Sequence, residues 1–151
     1  MAKIRLTKHY DFEMAHALYN YNGRCKNIHG HSYHLYVTVI GEPVDDQESP
    51  KNGMVMDFSD LKKIVKQGIV EKLDHSLMLN VKAKTEQLNT LVDMYERHHV
   101  VDFQPTCENM VVYIANQIIP RLPQGVELYS LRLYETSDSY AEWFASDNIP
   151  H

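Results

Sequence analysis

The chain is predicted to fold as an α+β domain: an antiparallel sheet covered on one face by helices. Two observations carry this. Residues 33–39 and 127–135 alternate apolar and polar side chains with the period of a half-buried strand, while residues 59–73 and 106–122 repeat apolar side chains at helical spacing. Taken with the flanking segments, the order is two strands, two helices, two strands. With 151 residues, 44% hydrophobic and 23% charged, the chain suits one domain, residues 1–151, long enough to bury a core.

Residues 3–15 mix β-branched, aromatic and polar positions and are expected to form the first strand. Leu18 to Lys26, with Asn20, Asn22 and Gly23, reads as a polar loop that delivers Cys25. From Tyr33 the alternation is regular, with Tyr33, Leu35, Val37 and Val39 on one face and His34, Tyr36 and Thr38 on the other. Gly41-Glu42-Pro43 ends that strand, a charged loop with Pro50 follows, and Ser59 is the candidate N-cap of a helix through Leu61, Ile64, Val65, Ile69 and Leu73. Residues 81–104 carry a short helical pattern (Leu88, Leu91, Val92, Tyr95) closed by His98-His99, and read as an insertion or extended connection. Thr106 is the candidate N-cap of the next helix, whose apolar stripe is Met110, Ile114, Ala115, Ile118 and Leu122. Tyr129, Leu131, Leu133 and Glu135 then share a strand face, a turn at 137–139 follows, and a last strand runs from Tyr140 to Ala145.

Composition excludes several classes. A net charge of −5 without a basic tract argues against nucleic acid as a partner. Cys25 and Cys107 do not make a disulfide framework, so a reducing, cytoplasmic setting is expected. Residues 1–6 lack the apolar core of a signal peptide, and no run approaches membrane-spanning length, so no membrane partner is expected.

Nine histidines direct attention to metal. In extended chain His29 and His31 project to one side, with Gly30 leaving room for a ligand against the backbone. Adding His16 makes three imidazoles with no fourth protein ligand, the stoichiometry of a catalytic zinc site with one open position. Cys25, just outside, would be a base or nucleophile beside a Lewis acid. Asp74-His75 reads either as a helix C-terminus favouring a cationic imidazole or as a carboxylate–imidazole pair that orients a catalytic group. Glu135 ends an otherwise apolar face, so it emerges at the rim or is held in a pocket, where the amidine-like edge of a heterocycle would supply paired donors. His34 is read as a surface or packing residue, His98 and His99 as solvated, His9 and His151 fit no pattern, and Cys107 is a small buried filler.

Six ordered segments resemble the 6-pyruvoyl-tetrahydropterin synthase and 6-carboxy-tetrahydropterin synthase family: residues 12–16, Cys25 through His29-Gly30-His31, residues 53–58, Leu73-Asp74-His75, residues 105–109 and Tyr134-Glu135-Thr136. The resemblance implies the tunnelling fold (T-fold): a four-stranded antiparallel sheet with two helices on one face, the sheets of several subunits joining into a barrel. It further implies a homo-oligomer, a hexamer of two stacked trimers, with sites between subunits. It makes His16, His29 and His31 the Zn2+ ligands, Cys25 the catalytic base, Asp74 and His75 its relay, and Glu135 the anchor of a pterin ring, with Thr106 and Glu108 lining the pocket. Cys107 stands where relatives often carry serine, alanine or threonine.

The implied substrate is the small-molecule pterin 7,8-dihydroneopterin triphosphate. Met56-Asp57-Phe58 resembles the 6-carboxy branch, which releases triphosphate and acetaldehyde and supplies queuosine and other 7-deazapurines, whereas the 6-pyruvoyl branch often has Met-Asn-Leu. The alternatives are the 6-pyruvoyl branch, which supplies biopterin, and a non-catalytic zinc or pterin-binding module. A folate-synthesis branch carries glutamate in place of the cysteine, and Cys25 counts against it.

Overall fold

The computed structural model describes residues 2–150; Met1 and His151, the ends of the expected domain, lie outside them. Along the chain come β1 (Ile4–His16), a 3-10 turn (Arg24–Lys26), β2 (His29–Gly41), α1 (Phe58–Val65), a π-helical turn (Lys66–Val70), α2 (Glu71–Leu73), β3 (Ser76–Asn80), α3 (Thr85–Met94), β4 (His98–Val101), α4 (Cys107–Ile118), β5 (Val126–Thr136), β6 (Ser139–Phe144) and α5 (Ala145–Asn148). None of these helices is long and apolar enough to cross a membrane.

The strands form one sheet in the order β4-β3-β1-β2-β5-β6. The expected four strands are β1, β2, β5 and β6, paired antiparallel. The expectation of a purely four-stranded antiparallel sheet is corrected by β3 and β4, which extend it in parallel beyond β1. All five residues of β3 are buried, so Ser76-Leu77-Met78-Leu79-Asn80 has no alternation to betray a strand. β4 is only four residues long and lies within the supposed insertion, so His98 and His99 are half-buried strand residues rather than loop residues.

One face of the sheet carries the core. Phe12 and Met14 of β1, Tyr33, Leu35, Val37 and Val39 of β2, and Leu128, Leu131 and Leu133 of β5 pack against Leu61 and Val65 of α1 and Met110, Ile114 and Ile118 of α4. Each such aliphatic side chain contributes about 1.5–3 kcal/mol over its exposed state. Two local expectations shift. The N-cap of α1 is Asp57, not Ser59; the Asp57 carboxylate accepts from the Ser59 N–H at 2.7 Å. In β5 a bulge opposite Thr38 and Val39 skips Tyr129, so Leu128 takes the core-facing place and Tyr129 lies under the Arg5 guanidinium. Thr106 caps α4 as expected, accepting from the Asn109 N–H.

The opposite face, turned away from α1 and α4, is polar. Thr7 and Thr38 share a hydroxyl hydrogen bond, Arg132 pairs with Glu142 in the row of His9 and Tyr36, and Asp11 and His34 form the next row.

Candidate metal and ligand centre

The strand register brings the site together. His16 ends β1 and His29 begins β2, and the two are direct cross-strand partners. Two residues on, His31 lies on the same face, beside buried Tyr33. That face is the core face, so the imidazoles continue the apolar layer to its rim. Glu135, on the face of Leu131 and Leu133, reaches the same point from β5. One ligand atom from each of His16, His29, His31 and Glu135 lies within 4.8 Å of the others.

Hydrogen bonds fix which nitrogen each imidazole offers. His16 Nδ1 is 2.6 Å from the carbonyl of buried Pro105, and His29 Nδ1 is 2.7 Å from the carbonyl of Asn27. A carbonyl only accepts, so each Nδ1 carries the proton and each Nε2 presents a lone pair. Those two Nε2 atoms stand 3.1 Å apart. Two lone pairs so placed repel unless a cation lies between them, and donors about 2.0–2.1 Å from a tetrahedral ion are separated by about 3.3 Å. His31 Nε2 is buried and lacks an aligned hydrogen bond, although Glu135 Oε1 is 3.0 Å away. The donors present therefore fit zinc, with backbone carbonyls orienting two of the rings.

The electrostatics agree. Burial holds the His31 imidazole below its ordinary pKa, opposed by Glu135 and reinforced by the other two rings, so it stays neutral and able to ligate. The His16 imidazole beside Glu135 keeps that carboxyl below the usual range in spite of burial, so it remains a charged acceptor. Burial pushes the Cys107 thiol up to about 11, and its Sγ–H donates to the Leu133 carbonyl; it is a filler that ties α4 to β5 two residues before Glu135.

The other expected residues are placed differently. Cys25 is half-buried in the 3-10 turn between β1 and β2, its carbonyl accepting from the Leu18 N–H. Glu108 is exposed in the first turn of α4, next to the capping Thr106. Asp74 Oδ1 accepts from the Glu13 N–H at 2.8 Å and Asp74 Oδ2 pairs with His75 Nδ1 at 2.9 Å. His75 adopts a left-handed backbone with φ +56°, and its side chain is 74% exposed. Neither Asp74 nor His75 hydrogen-bonds to the histidine cluster among the described residues. His75 borders a cleft of about 330 Å³ with Glu13, Gly30, His31 and Ser32. A cavity of about 1260 Å³ runs from the loop segments at 17–21 and 26–28 to α3.

One contributor was not anticipated. The Arg97 guanidinium, just before β4, donates to the carbonyls of Glu71 and Asp74 and so closes the end of α2 that delivers Asp74 and His75. No local pattern announces it, because its partners are backbone atoms more than twenty residues away.

Comparison with known proteins converges on one family. A family model described as 6-pyruvoyl tetrahydropterin synthase matches residues 5–146. The chain is 34% identical over 142 residues to a 6-carboxy-5,6,7,8-tetrahydropterin synthase of Haemophilus influenzae, covering 93% of this chain and 98% of that one. It is 33% identical over 149 residues to the 6-pyruvoyl tetrahydrobiopterin synthase of Homo sapiens, covering 91% and 88%. Among solved structures, the 6-pyruvoyl tetrahydropterin synthase of Plasmodium falciparum superposes with a TM-score of 0.70 at 22% identity, covering 95% of this chain and 98% of that one.

Proposed function

Because the chain belongs to the 6-pyruvoyl tetrahydropterin synthase family, we propose that it is a zinc-dependent 6-carboxy-5,6,7,8-tetrahydropterin synthase acting on 7,8-dihydroneopterin triphosphate. The observation that carries this is the convergence of the three histidines and Glu135 at one rim of the core, with two Nε2 atoms left facing each other. When bound, zinc supplies Lewis acidity toward side-chain oxygens of the substrate.

The chain's own residues supply the rest. His16, His29 and His31 hold the ion. Glu135, ionised in its half-buried place, accepts two N–H donors from the pterin edge. Thr106 and Glu108, at the head of α4, border the ring. Cys25 takes a proton from the substrate side chain, and His75, oriented by Asp74, returns one as triphosphate leaves. Within one chain His75 is exposed and makes no bond to the cluster, which favours a site completed by a neighbouring copy in a hexamer of two trimers. A cytoplasmic enzyme feeding queuosine and 7-deazapurine synthesis is the corresponding role.

The relatives' names favour the 6-carboxy product, although the 6-pyruvoyl relative is nearly as similar. Asp57 does not discriminate as well as its motif suggests, because it serves as a helix cap and asparagine caps equally well. Product analysis decides. Zinc-loaded protein with dihydroneopterin triphosphate is expected to yield acetaldehyde and 6-carboxy-tetrahydropterin. A 6-pyruvoyl product without acetaldehyde selects the second reading, and no turnover at full zinc occupancy selects a non-catalytic module. His29→Ala is expected to drop bound zinc at this centre several-fold by elemental analysis, whereas Cys25→Ala keeps the metal and loses turnover.

A further inference from the structure

We infer that His9, Asp11 and His34 form a second metal site, for a divalent transition ion of the zinc class, on the sheet face turned away from α1 and α4. His9 Nε2 lies 2.7 Å and His34 Nδ1 2.5 Å from the same oxygen, Asp11 Oδ1, and the two nitrogens are 3.3 Å apart. The nitrogen separation matches the donor spacing of about 3.3 Å around a tetrahedral ion. The two shorter separations are those of a carboxylate accepting two N–H hydrogen bonds. An ion replaces those protons, and the carboxylate moves outward by about half an ångström to seat it. Two imidazoles and one carboxylate form a donor set that zinc uses, and they leave a position for water. Nitrogen donors also disfavour calcium and magnesium, which prefer oxygen-only shells.

The arrangement is built into the backbone. Asp11 is the register partner of His34, and His9 is the partner of Tyr36, so the donors sit on two adjacent, fully paired strands. The His9 ring stacks on Tyr36 with centroids 4.5 Å apart and planes 9° from parallel, which holds its Nε2 toward the carboxylate. The three side chains are exposed or half-buried, so the ion exchanges with solvent and binds more weakly than one held by the rim cluster. His9 and Asp11 alternate away from Phe12, and His34 alternates away from Tyr33. The site therefore lies on the opposite face from His16, His29 and His31, and does not depend on the proposed reaction.

The test is metal counting on the full chain with zinc alone. Metal-free protein is equilibrated with buffered micromolar Zn2+ at pH 7.5, and bound metal per chain is read by mass spectrometry. Parallel titration with Co2+ follows the visible absorption. Wild type is expected to take up two equivalents, the His9→Ala/His34→Ala double variant one, and Asp11→Asn to bind the second at least tenfold more weakly. His29→Ala is expected to retain the ion that the double variant loses, so failure at either centre is told apart from failure at the other. Retention of the first equivalent, with unchanged circular dichroism, shows that the variants fold. One equivalent in wild type, or a second equivalent undiminished in the double variant, overturns the proposal.

Discussion

At the scale of single residues, the Asp74 carboxylate joins two roles. Burial raises its pKa, but the Glu13 N–H and the His75 imidazole outweigh that and leave the group below its ordinary value. A carboxyl depressed by folding stabilises the native state above its unfolded pKa, and the contribution is lost as pH falls through the native one. Asp74→Asn keeps an acceptor for the Glu13 amide and removes the titration. Acid unfolding of the metal-free variant, followed by circular dichroism below about pH 4, is therefore expected to be shallower than that of wild type. Superimposable acid limbs would show that the Glu13 and His75 contacts leave the carboxyl untouched. Residue-level chemistry was legible where one strand sufficed: His29 and His31 alternate visibly, and Glu135 interrupts an apolar face. It was hidden where two strands must be aligned. His9, Asp11 and His34 meet only through the β1–β2 register, and the placement of His75 depends on a left-handed residue following a helix.

At the scale of elements, the buried residues Leu61, Val65, Ile69 and Leu73 recur every four positions. An α-helix has 3.6 residues per turn and would carry such a stripe around its side by about 40° per step. The π turn at Lys66–Val70 adds the surplus residue and returns the stripe to the core. The sequence periodicity therefore pointed to a helix but not to its wide turn. Close packing sets a second constraint. A Cβ on Gly41, the last residue of β2, would stand 2.8 Å from the Gly125 carbonyl oxygen and 2.9 Å from Val55 Cγ1. The Gly125 atom is backbone and cannot swing aside, so Gly41→Ala is expected to cost about 1–3 kcal/mol in urea unfolding. A cost below a few tenths would mean that the loop before β5 shifts freely. β3 escaped notice for the converse reason: a strand buried throughout looks like any short apolar run.

At the scale of the whole molecule, among the described residues the sheet ends in two unpaired edges, β4 and β6. Exposed edges invite pairing with another chain, and closing a barrel removes them. Under the proposed shared site, the inactive variants Cys25→Ala and His75→Asn each supply what the other lacks. Asparagine is chosen because it tolerates the positive φ at position 75. Mixing the two after dissociation and reassembly is expected to restore part of the activity, and light scattering is expected to report an oligomer. Two inactive variants that stay inactive when mixed would place the whole site in one chain. The family match and the helix-covered sheet were readable from ordered motifs, whereas the parallel extension by β3 and β4 required coordinates.

The three histidines of the rim cluster all belong to one hairpin, spanning residues 16 to 31, while Glu135 arrives from a strand more than a hundred residues later. On a ribosome that order becomes a schedule. All three imidazoles are synthesised before any of β5, whereas the Pro105 carbonyl that orients His16 and the Glu135 carboxylate that joins the cluster come only in the later part of the chain, so the cluster reaches its final geometry late.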